Sequence, residues 1–239
     1  MTEPENVIAP EVSSPLHRAM EIGGILAFGA LETWLLVRLA NSVTTGEMAL
    51  ALGLSALAGY IGADFGSGLA HWAFDRYGTV ETPILGPNFI KPFREHHVDP
   101  KGITRHDFVE TNGNNCIATI PFLLTGLSFD LSTPLGVFGA GVFAMISLFG
   151  FGTNQFHKWA HEDNLPGWVQ KLMAWHLILG VAHHDIHHRA PYDKYYCITS
   201  GVLNPFLTRI RFFSRTEALI FRLTGVQGGA NDQAYTQKS

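Results

Sequence analysis

The chain has 239 residues and a formal net charge of −4 at pH 7, and only 15% of its residues are charged. Soluble domains usually carry about 25% charged residues, so this low fraction and a mean hydropathy of +0.13 argue against an ordinary soluble domain. The chain has no block of like charge, which argues against nucleic acid as a partner. Its two cysteines, Cys116 and Cys197, form no CxxC pair and say little about the redox compartment.

The two ends of the chain are polar and predict disordered tails at residues 1–20 and 225–239. The opening residues are acidic and proline-containing, and they lack the basic start and early apolar core of a secretory signal. The remaining residues, 21–224, are predicted to form one membrane domain.

Four apolar stretches predict membrane-spanning helices. The last two are shorter than the roughly 20 residues that a spanning helix needs, and a tight turn separates them, so we expect a helical hairpin whose ends extend beyond the apolar cores. The expected fold is an all-α, four-span integral membrane bundle, with a soluble helical bundle as the alternative. The four stretches are Ile22–Ala40, Met48–Gly68, Cys116–Leu131 and Leu135–Phe151.

Small and ionisable residues inside the apolar stretches carry their own expectations. Gly59, Gly62 and Gly66 in the second stretch predict a close approach between helices. Glu32 and Asp64 lie inside predicted spans, where an ionisable group is costly and usually functional. The alternative for both is a hydrogen bond within the bundle.

The distribution of basic residues predicts the orientation of the bundle. The connections at 44–47 and 132–134 contain no lysine or arginine, whereas the long segments after the second and fourth stretches do. The positive-inside rule therefore places both termini and both long segments in the cytoplasm. The basic residues of those segments are Arg76, Lys91, Arg94, Lys101, Arg105, Lys158, Lys171, Arg189 and Lys194.

The last third of the chain predicts surface helices rather than a further span. Trp168–Leu179 has large apolar residues at helical spacing, which is typical of an interfacial helix. Residues 206–222 interleave arginines with phenylalanine and isoleucine, a pattern that favours binding to anionic lipid. Packing of this stretch against the rest of the protein is the alternative.

Histidines are concentrated in one part of the chain. Eleven of the twelve lie between positions 71 and 188, and none falls in the middle of an apolar stretch. In the predicted topology all eleven lie on the cytoplasmic side. We therefore expect a cytoplasmic histidine-rich cap.

The spacing of these histidines predicts metal binding. His157 and His161 are four residues apart and share one helical face. In the run 183–188 the pairs 183/187 and 184/188 have the same spacing. If residues 176–188 form one helix, His176 joins the stripe of the first pair, and the helix presents ligands in two directions. Adjacent histidines at 96–97 and His71 at the end of the second stretch complete the set.

The number of histidines indicates a binuclear centre. Imidazole suits iron, zinc, copper and nickel, so the ligand type alone does not select the metal. A zinc site needs three or four ligands, and the chain offers more than twice that number. His161-Glu162 begins a zinc-protease motif, but Leu165 stands where the second histidine is required. Asp75, one helical turn beyond His71, is a candidate ligand or a hydrogen-bond acceptor that orients the imidazole ring.

Long motifs in the chain resemble the plasmanylethanolamine desaturases and their relatives. Those relatives include the plastid desaturase that introduces a trans double bond into the palmitate of phosphatidylglycerol. The resemblance covers roughly Asp64 to Arg211. The matching motifs are HisTrp at 71–72 with Asp75, and the strings at 91–97, 104–116, 153–161, 183–188 and 195–204.

This resemblance implies a four-helix membrane fold with a cytoplasmic di-iron site held by histidines. It implies removal of two hydrogens from a lipid chain with dioxygen and two electrons, most simply the conversion of a plasmanyl to a plasmenyl phospholipid. An acyl-lipid desaturase or hydroxylase is the first alternative, and a metal-binding transporter or sensor is a distant one. No haem-attachment or iron–sulfur motif occurs, so the electrons must come from a partner. We expect that partner to be a cytochrome b5-like or ferredoxin-like protein.

Spacing and resemblance together give ten candidate metal ligands and one candidate catalytic carboxylate. The motifs at 157–161 and 184–188 match the two histidine boxes of the family, and His106 enters only through the motif at 104–116. The carboxylate is Asp75. The ten histidines are His71, His96, His97, His106, His157, His161, His183, His184, His187 and His188.

Overall fold

The computed structural model describes residues 14–229, and the regular secondary structure in this range is helical, with no β-strand. This confirms the predicted all-α class. A π-helical turn at Gly86–Ile90 leads into α3, and a 3₁₀ turn at Gly102–Arg105 precedes α4. The helices are α1 (Pro15–Ser42), α2 (Gly46–Arg76), α3 (Lys91–Val98), α4 (Phe108–Leu127), α5 (Pro134–His161), α6 (Gly167–Ala174), α7 (Val181–His184), α8 (Asn204–Arg209) and α9 (Phe212–Thr224).

The first helix begins earlier than the predicted domain boundary at residue 21. Pro15 occupies the first helical turn, where its missing N–H costs nothing, and the Ser14 hydroxyl accepts a hydrogen bond from the His17 N–H at 3.2 Å. These two signals start the helix at Pro15. The rest of the predicted tails, residues 1–13 and 230–239, lies outside the described residues, so their disorder stays a prediction.

Three helices of the described chain, α1, α2 and α5, are long and apolar enough to cross a membrane. They contain the first, second and fourth predicted spans. The predicted third span corresponds to α4, which ends at Leu127 and contains Pro121. The first turns of α4 are polar, with Glu110 and Asn112 among them, and this shortens its apolar stretch. The length and composition of these three helices are consistent with a membrane protein, and the fourth span stays a prediction.

The chain divides into two compact units, and the helix-packing unit comprises Ser13–Gly66 and Asp107–Phe156. Its core is an apolar cluster that includes Leu35, Leu123 and Val137, all fully buried. Gly59 permits close packing, because a Cβ there would collide with the Cβ of Met145 and the carbonyl of Val142. The predicted close approach is thus confirmed at Gly59.

The same prediction needs a correction farther along α2. A Cβ on Gly62 would press on Ile146, but a Cβ on Gly66 would meet nothing within 4 Å. The close approach therefore involves the first two glycines and excludes the third. Glu32 and Asp64 are both buried in this unit, and neither belongs to a group that could hold a metal in the described chain.

The second compact unit, called here the histidine unit, comprises Ser67–His106 and residues 157–229 of the described chain. Its packing fixes the segments that carry histidines. The buried Arg94 guanidinium donates hydrogen bonds to the carbonyls of Tyr77 and Gly78 at 3.4 and 3.0 Å, which ties α3 to the end of α2. Asn204 pairs with the backbone of Cys197 through bonds of 2.9 and 2.8 Å and holds the loop before α8.

Candidate metal centre

Nine side chains of the histidine unit converge in two groups that could each hold a metal ion. Within each group, one potential ligand atom from every residue lies within 4.8 Å of all the others. The five-histidine group consists of His96, His157, His161, His184 and His188, and the mixed group consists of His71, Asp75, His97 and His187.

In the five-histidine group, imidazole nitrogens approach one another directly. The Nε2 atom of His184 lies 2.8 Å from Nε2 of His157 and 2.9 Å from Nε2 of His188. Two nitrogens bound to one ion at about 2.1 Å and at right angles would be roughly 3 Å apart. The observed spacing matches the spacing within a metal coordination sphere.

Several buried nitrogens of this group accept or donate no hydrogen bond within residues 14–229. Buried polar atoms without partners are costly, and their presence in a native fold calls for an explanation such as a bound ion. A cation would use the lone pairs that the protein leaves unpaired. The unpaired atoms that could join Nε2 of His184 and His188 on one ion are Nε2 of His96 and Nε2 of His161. Nδ1 of His184 and Nδ1 of His188 are also unpaired, but they belong to rings whose Nε2 atoms already face the group.

The mixed group is organised by hydrogen bonds that fix the tautomers of two rings. Nδ1 of His71 donates to the Tyr196 carbonyl at 3.0 Å, and Nδ1 of His187 donates to the Lys194 carbonyl at 2.8 Å. Because a carbonyl only accepts, Nδ1 carries the proton in both rings, and Nε2 of each neutral ring presents a lone pair. This is the arrangement that orients a metal-binding imidazole.

Asp75 lies where these lone pairs meet. Its Oδ2 atom is 3.3 Å from Nε2 of His71, 3.5 Å from Nε2 of His187 and 3.1 Å from Nε2 of His97. Lone pairs on two neutral imidazoles would repel a carboxylate oxygen at these distances. A metal ion shared by the nitrogens and the carboxylate turns this repulsion into attraction, so the mixed group also fits a cation.

Burial keeps the imidazoles of the five-histidine group neutral at physiological pH. The pKa of His96, His184 and His188 lies well below the ordinary value of about 6.5, first because burial disfavours the charged form and second because neighbouring histidines repel it. Neutral imidazole is the form that binds metal. The group is thus ready to accept an ion without first losing protons.

The two groups are immediate neighbours. The ring centroids of His97 and His188 are 5.4 Å apart, and those of His187 and His188 are 5.6 Å apart, although the members of each pair belong to different groups. His71 and His157 make a similar contact at 6.1 Å. The donor set is nitrogen-rich with one carboxylate, which suits iron, zinc or copper, and its division into two adjacent groups suits two ions.

Local helix geometry explains this division. Consecutive residues on a helix point about 100° apart, so His96 and His97 on α3 face different groups. Residues four apart face the same way, which places His71 and Asp75 of α2 together and His157 and His161 of α5 together.

The prediction of one helix over residues 176–188 is wrong. α6 ends at Ala174, His176 has a left-handed φ of 56°, and Gly180 is extended, so only Val181–His184 forms a short helix. The His188 N–H still donates to the His184 carbonyl at 3.4 Å, which preserves one helical turn. His184 and His188 therefore face one group and His187 the other, whereas the exposed His176 joins neither.

Two predicted ligands lie outside both groups. The backbone carbonyl of His106 accepts a hydrogen bond from Lys158 Nζ at 2.6 Å. The ring of His183 packs on Tyr195 at 4.8 Å and abuts Gly201, where a Cβ would lie 2.7 Å from the ring. Binding of metal by these two histidines stays a prediction.

Sequence reasoning missed the two acceptors that orient His71 and His187. Both are backbone carbonyls, at Tyr196 and Lys194, and a backbone group leaves no residue-type signal. The buried ring of Tyr196 also packs against both imidazoles, at 5.7 and 5.1 Å. Its position in the motif at 195–204 was the only available hint.

Comparison with known proteins agrees with this site. The model of the lipid desaturase domain matches residues 60–231, which include every member of both groups. The chain belongs to the lipid desaturase family. It is accordingly an oxidoreductase of the desaturase type, and the predicted resemblance is confirmed.

Named relatives of this lipid desaturase come from bacteria, animals and plants. Plasmanylethanolamine desaturase of Myxococcus xanthus is 50% identical over 89% of the chain and 75% of that protein. Plasmanylethanolamine desaturase 1 of Mus musculus is 48% identical over 77% of the chain and 70% of that protein. Chloroplastic fatty acid desaturase 4 of Arabidopsis thaliana is 39% identical over 82% of the chain and 60% of that protein. No solved structure gives a significant match.

Proposed function

We propose that the protein is a di-iron, dioxygen-dependent membrane desaturase that converts plasmanyl phospholipids into plasmenyl phospholipids. The observation that carries this proposal is the division of nine buried or half-buried side chains into two adjacent groups of metal-binding type. The names of the bacterial and mouse relatives support the ether-lipid substrate.

The protein's own residues have separable roles in this reaction. Bound iron would supply the activation of dioxygen that removal of hydrogen from an unactivated carbon requires. The five-histidine group would hold one ion with neutral ligands, and Asp75 would add one negative charge beside the other ion. The Tyr196 and Lys194 carbonyls hold His71 and His187 so that their Nε2 lone pairs point inward.

The overall reaction balances with an external reductant. Two hydrogens leave neighbouring carbons of the alkyl chain, and dioxygen takes them up, together with two electrons and two protons, to form two waters. The product gains one carbon–carbon double bond beside the ether oxygen. We propose that a cytochrome b5-like or ferredoxin-like protein supplies the electrons.

We also propose that α4 is the fourth membrane span and that the histidine unit faces the cytoplasm. The absence of lysine and arginine from the connections at 44–47 and 132–134 supports this orientation. With four spans, these two connections lie together on the outer side.

Thiol labelling tests this topology. Single cysteines replace Thr45, Ser132 and Asn164, all of which are exposed. We expect a membrane-impermeant reagent added outside intact cells to label Thr45→Cys and Ser132→Cys but to spare Asn164→Cys. The unmodified chain, whose two cysteines are buried, is the background control. Labelling of Asn164→Cys with protection of Ser132→Cys would instead show three spans.

Lipid analysis tests the substrate. Cells with and without the gene receive an alkylglycerol, and their ether lipids are measured by mass spectrometry, with acid release of aldehyde as the signature of a vinyl ether. We expect plasmenyl lipid only when the gene is present and accumulation of plasmanyl lipid when it is absent. Unchanged ether lipids with altered acyl unsaturation would favour the acyl-lipid alternative, which the names of the Arabidopsis relatives support. A hydroxylated lipid would instead indicate the hydroxylase.

The distant alternative is a metal-binding transporter or sensor. Such a protein would bind metal without changing any lipid. A change in cellular metal content that depends on the gene, with no change in any lipid, would support this alternative over the desaturase.

A further inference from the structure

Helix α9 is fixed to the histidine unit along one face. Glu217 accepts hydrogen bonds at 2.9 Å from the Trp72 indole N–H and from Nε of Arg76. The buried Phe213 ring packs on Trp72 at 5.6 Å and on Tyr196 at 4.8 Å. These contacts fix the rotation of α9 about its axis and therefore determine which residues its outer faces present.

One outer face of α9 is apolar. Phe212, Leu219 and Leu223 follow the spacing i, i+7 and i+11, which places them along one line of the helix. The side chains of Leu219 and Leu223 are 52% and 76% exposed. Beyond the end of the helix, Val226 is also exposed. Water is an unfavourable environment for a line of large aliphatic side chains.

A second outer face, roughly a quarter turn away, is basic. Arg215 and Arg222 are exposed and lie along one line of α9, and the exposed Arg211 directly precedes the helix. None of the three forms an ion pair within residues 14–229. The only carboxylate of α9, Glu217, is on the opposite side and is occupied by Trp72 and Arg76. The outer surface is therefore positively charged with no acidic residue of α9 to balance it.

We infer that α9 is an interfacial helix that lies on the surface of a membrane and binds anionic phospholipid headgroups. The apolar line and the arginine line run side by side along one helix. At a bilayer surface the apolar line would contact the acyl chains and the arginine line the charged headgroups. Arginine also extends its charged end to the headgroups while its stem stays in apolar surroundings. An acidic protein would complement the arginines, but it would leave the adjacent leucines exposed at the edge of its interface.

Fluorescence of the whole protein in liposomes tests this inference. An environment-sensitive fluorophore is attached to Leu223→Cys, and the protein is reconstituted in phosphatidylcholine alone or with added phosphatidylglycerol. Quenching by acrylamide, a neutral reagent, reports exposure to water. The chain without Leu223→Cys gives the background from Cys116 and Cys197, which are buried. This readout depends on neither iron nor turnover, so it is independent of the proposed reaction.

We expect phosphatidylglycerol to protect the fluorophore and to shift its emission to the blue. A basic residue at an anionic surface strengthens attachment by about five-fold. Arg215→Gln with Arg222→Gln should therefore restore quenching several-fold, whereas Arg215→Lys with Arg222→Lys should keep the protection. High salt screens the attraction between arginine and headgroup, so it should restore quenching as the double glutamine variant does.

Three outcomes would overturn the inference. Equal protection in both lipids, independent of the arginines, would show attachment without anionic preference. Equal quenching in both lipids would show no attachment. Protection that appears only after addition of an acidic carrier protein would identify a protein as the partner instead.

Discussion

Replacement of His184 by alanine is expected to abolish product formation and to remove iron from the five-histidine group. Nε2 of His184 lies within 2.9 Å of the nitrogens of both His157 and His188, so we expect it to be the central ligand of an ion in that group. Loss of an outer partner of a metal site typically costs 10–100-fold in affinity or activity, and loss of this ligand should cost more than about 100-fold. Vinyl-ether yield and bound iron, measured at matched expression, check the prediction.

His17→Ala is the matched control for His184→Ala. His17 belongs to the helix-packing unit and approaches Glu21, which also has the Arg18 guanidinium at 3.8 Å. We expect this variant to bind as much iron and to form as much vinyl-ether product as the unmodified protein. If His184→Ala retained the activity of His17→Ala, the five-histidine group would not be the catalytic metal site.

Replacement of Asp75 by asparagine is expected to abolish activity while affecting only one of the two groups. The carboxylate supplies the single negative charge of the mixed group and lies within 3.5 Å of three imidazole nitrogens. The amide is nearly the same size but lacks the charge that balances an ion. We therefore expect bound iron to fall towards one per chain, the five-histidine group staying loaded.

Asp185→Asn is the control for this second prediction. Asp185 lies inside the motif at 183–188 and is exposed, but it belongs to neither group. We expect this variant to keep both ions and its activity. Loss of all iron from Asp75→Asn would show that the two groups do not bind independently, and full activity would remove Asp75 from the site.

Much of the site was predictable because helical spacing relates sequence to direction. His157 with His161 and His71 with Asp75 are one turn apart on long helices, so their shared direction followed from sequence alone. The prediction of a single helix over residues 176–188 is wrong, because the spacing argument assumes that the helix is continuous. Nothing in the spacing of the histidines revealed that His176 takes a left-handed conformation and ends the helix.

Other features depend on tertiary contacts that no local pattern contains. The tautomers of His71 and His187 are set by carbonyls of a loop that follows the second histidine box. His96 and His97 can belong to different groups only if α3 lies between the two groups. Arg94 holds α3 in this position by donating hydrogen bonds to carbonyls at the end of α2. His183 and His187 are four residues apart, and that spacing predicted that they would face the same way. The ring of His183 instead packs on Tyr195, because the segment between the two histidines is not a regular helix.

The metal content of the protein purified in mild detergent shows whether one chain holds two adjacent iron sites. Elemental analysis against protein concentration should give close to two irons per chain. His161→Ala and His71→Ala should each lower the value, because they remove ligands from different groups. One tightly bound zinc per chain, with no iron and no loss of metal in either variant, would show that the protein does not hold two iron sites.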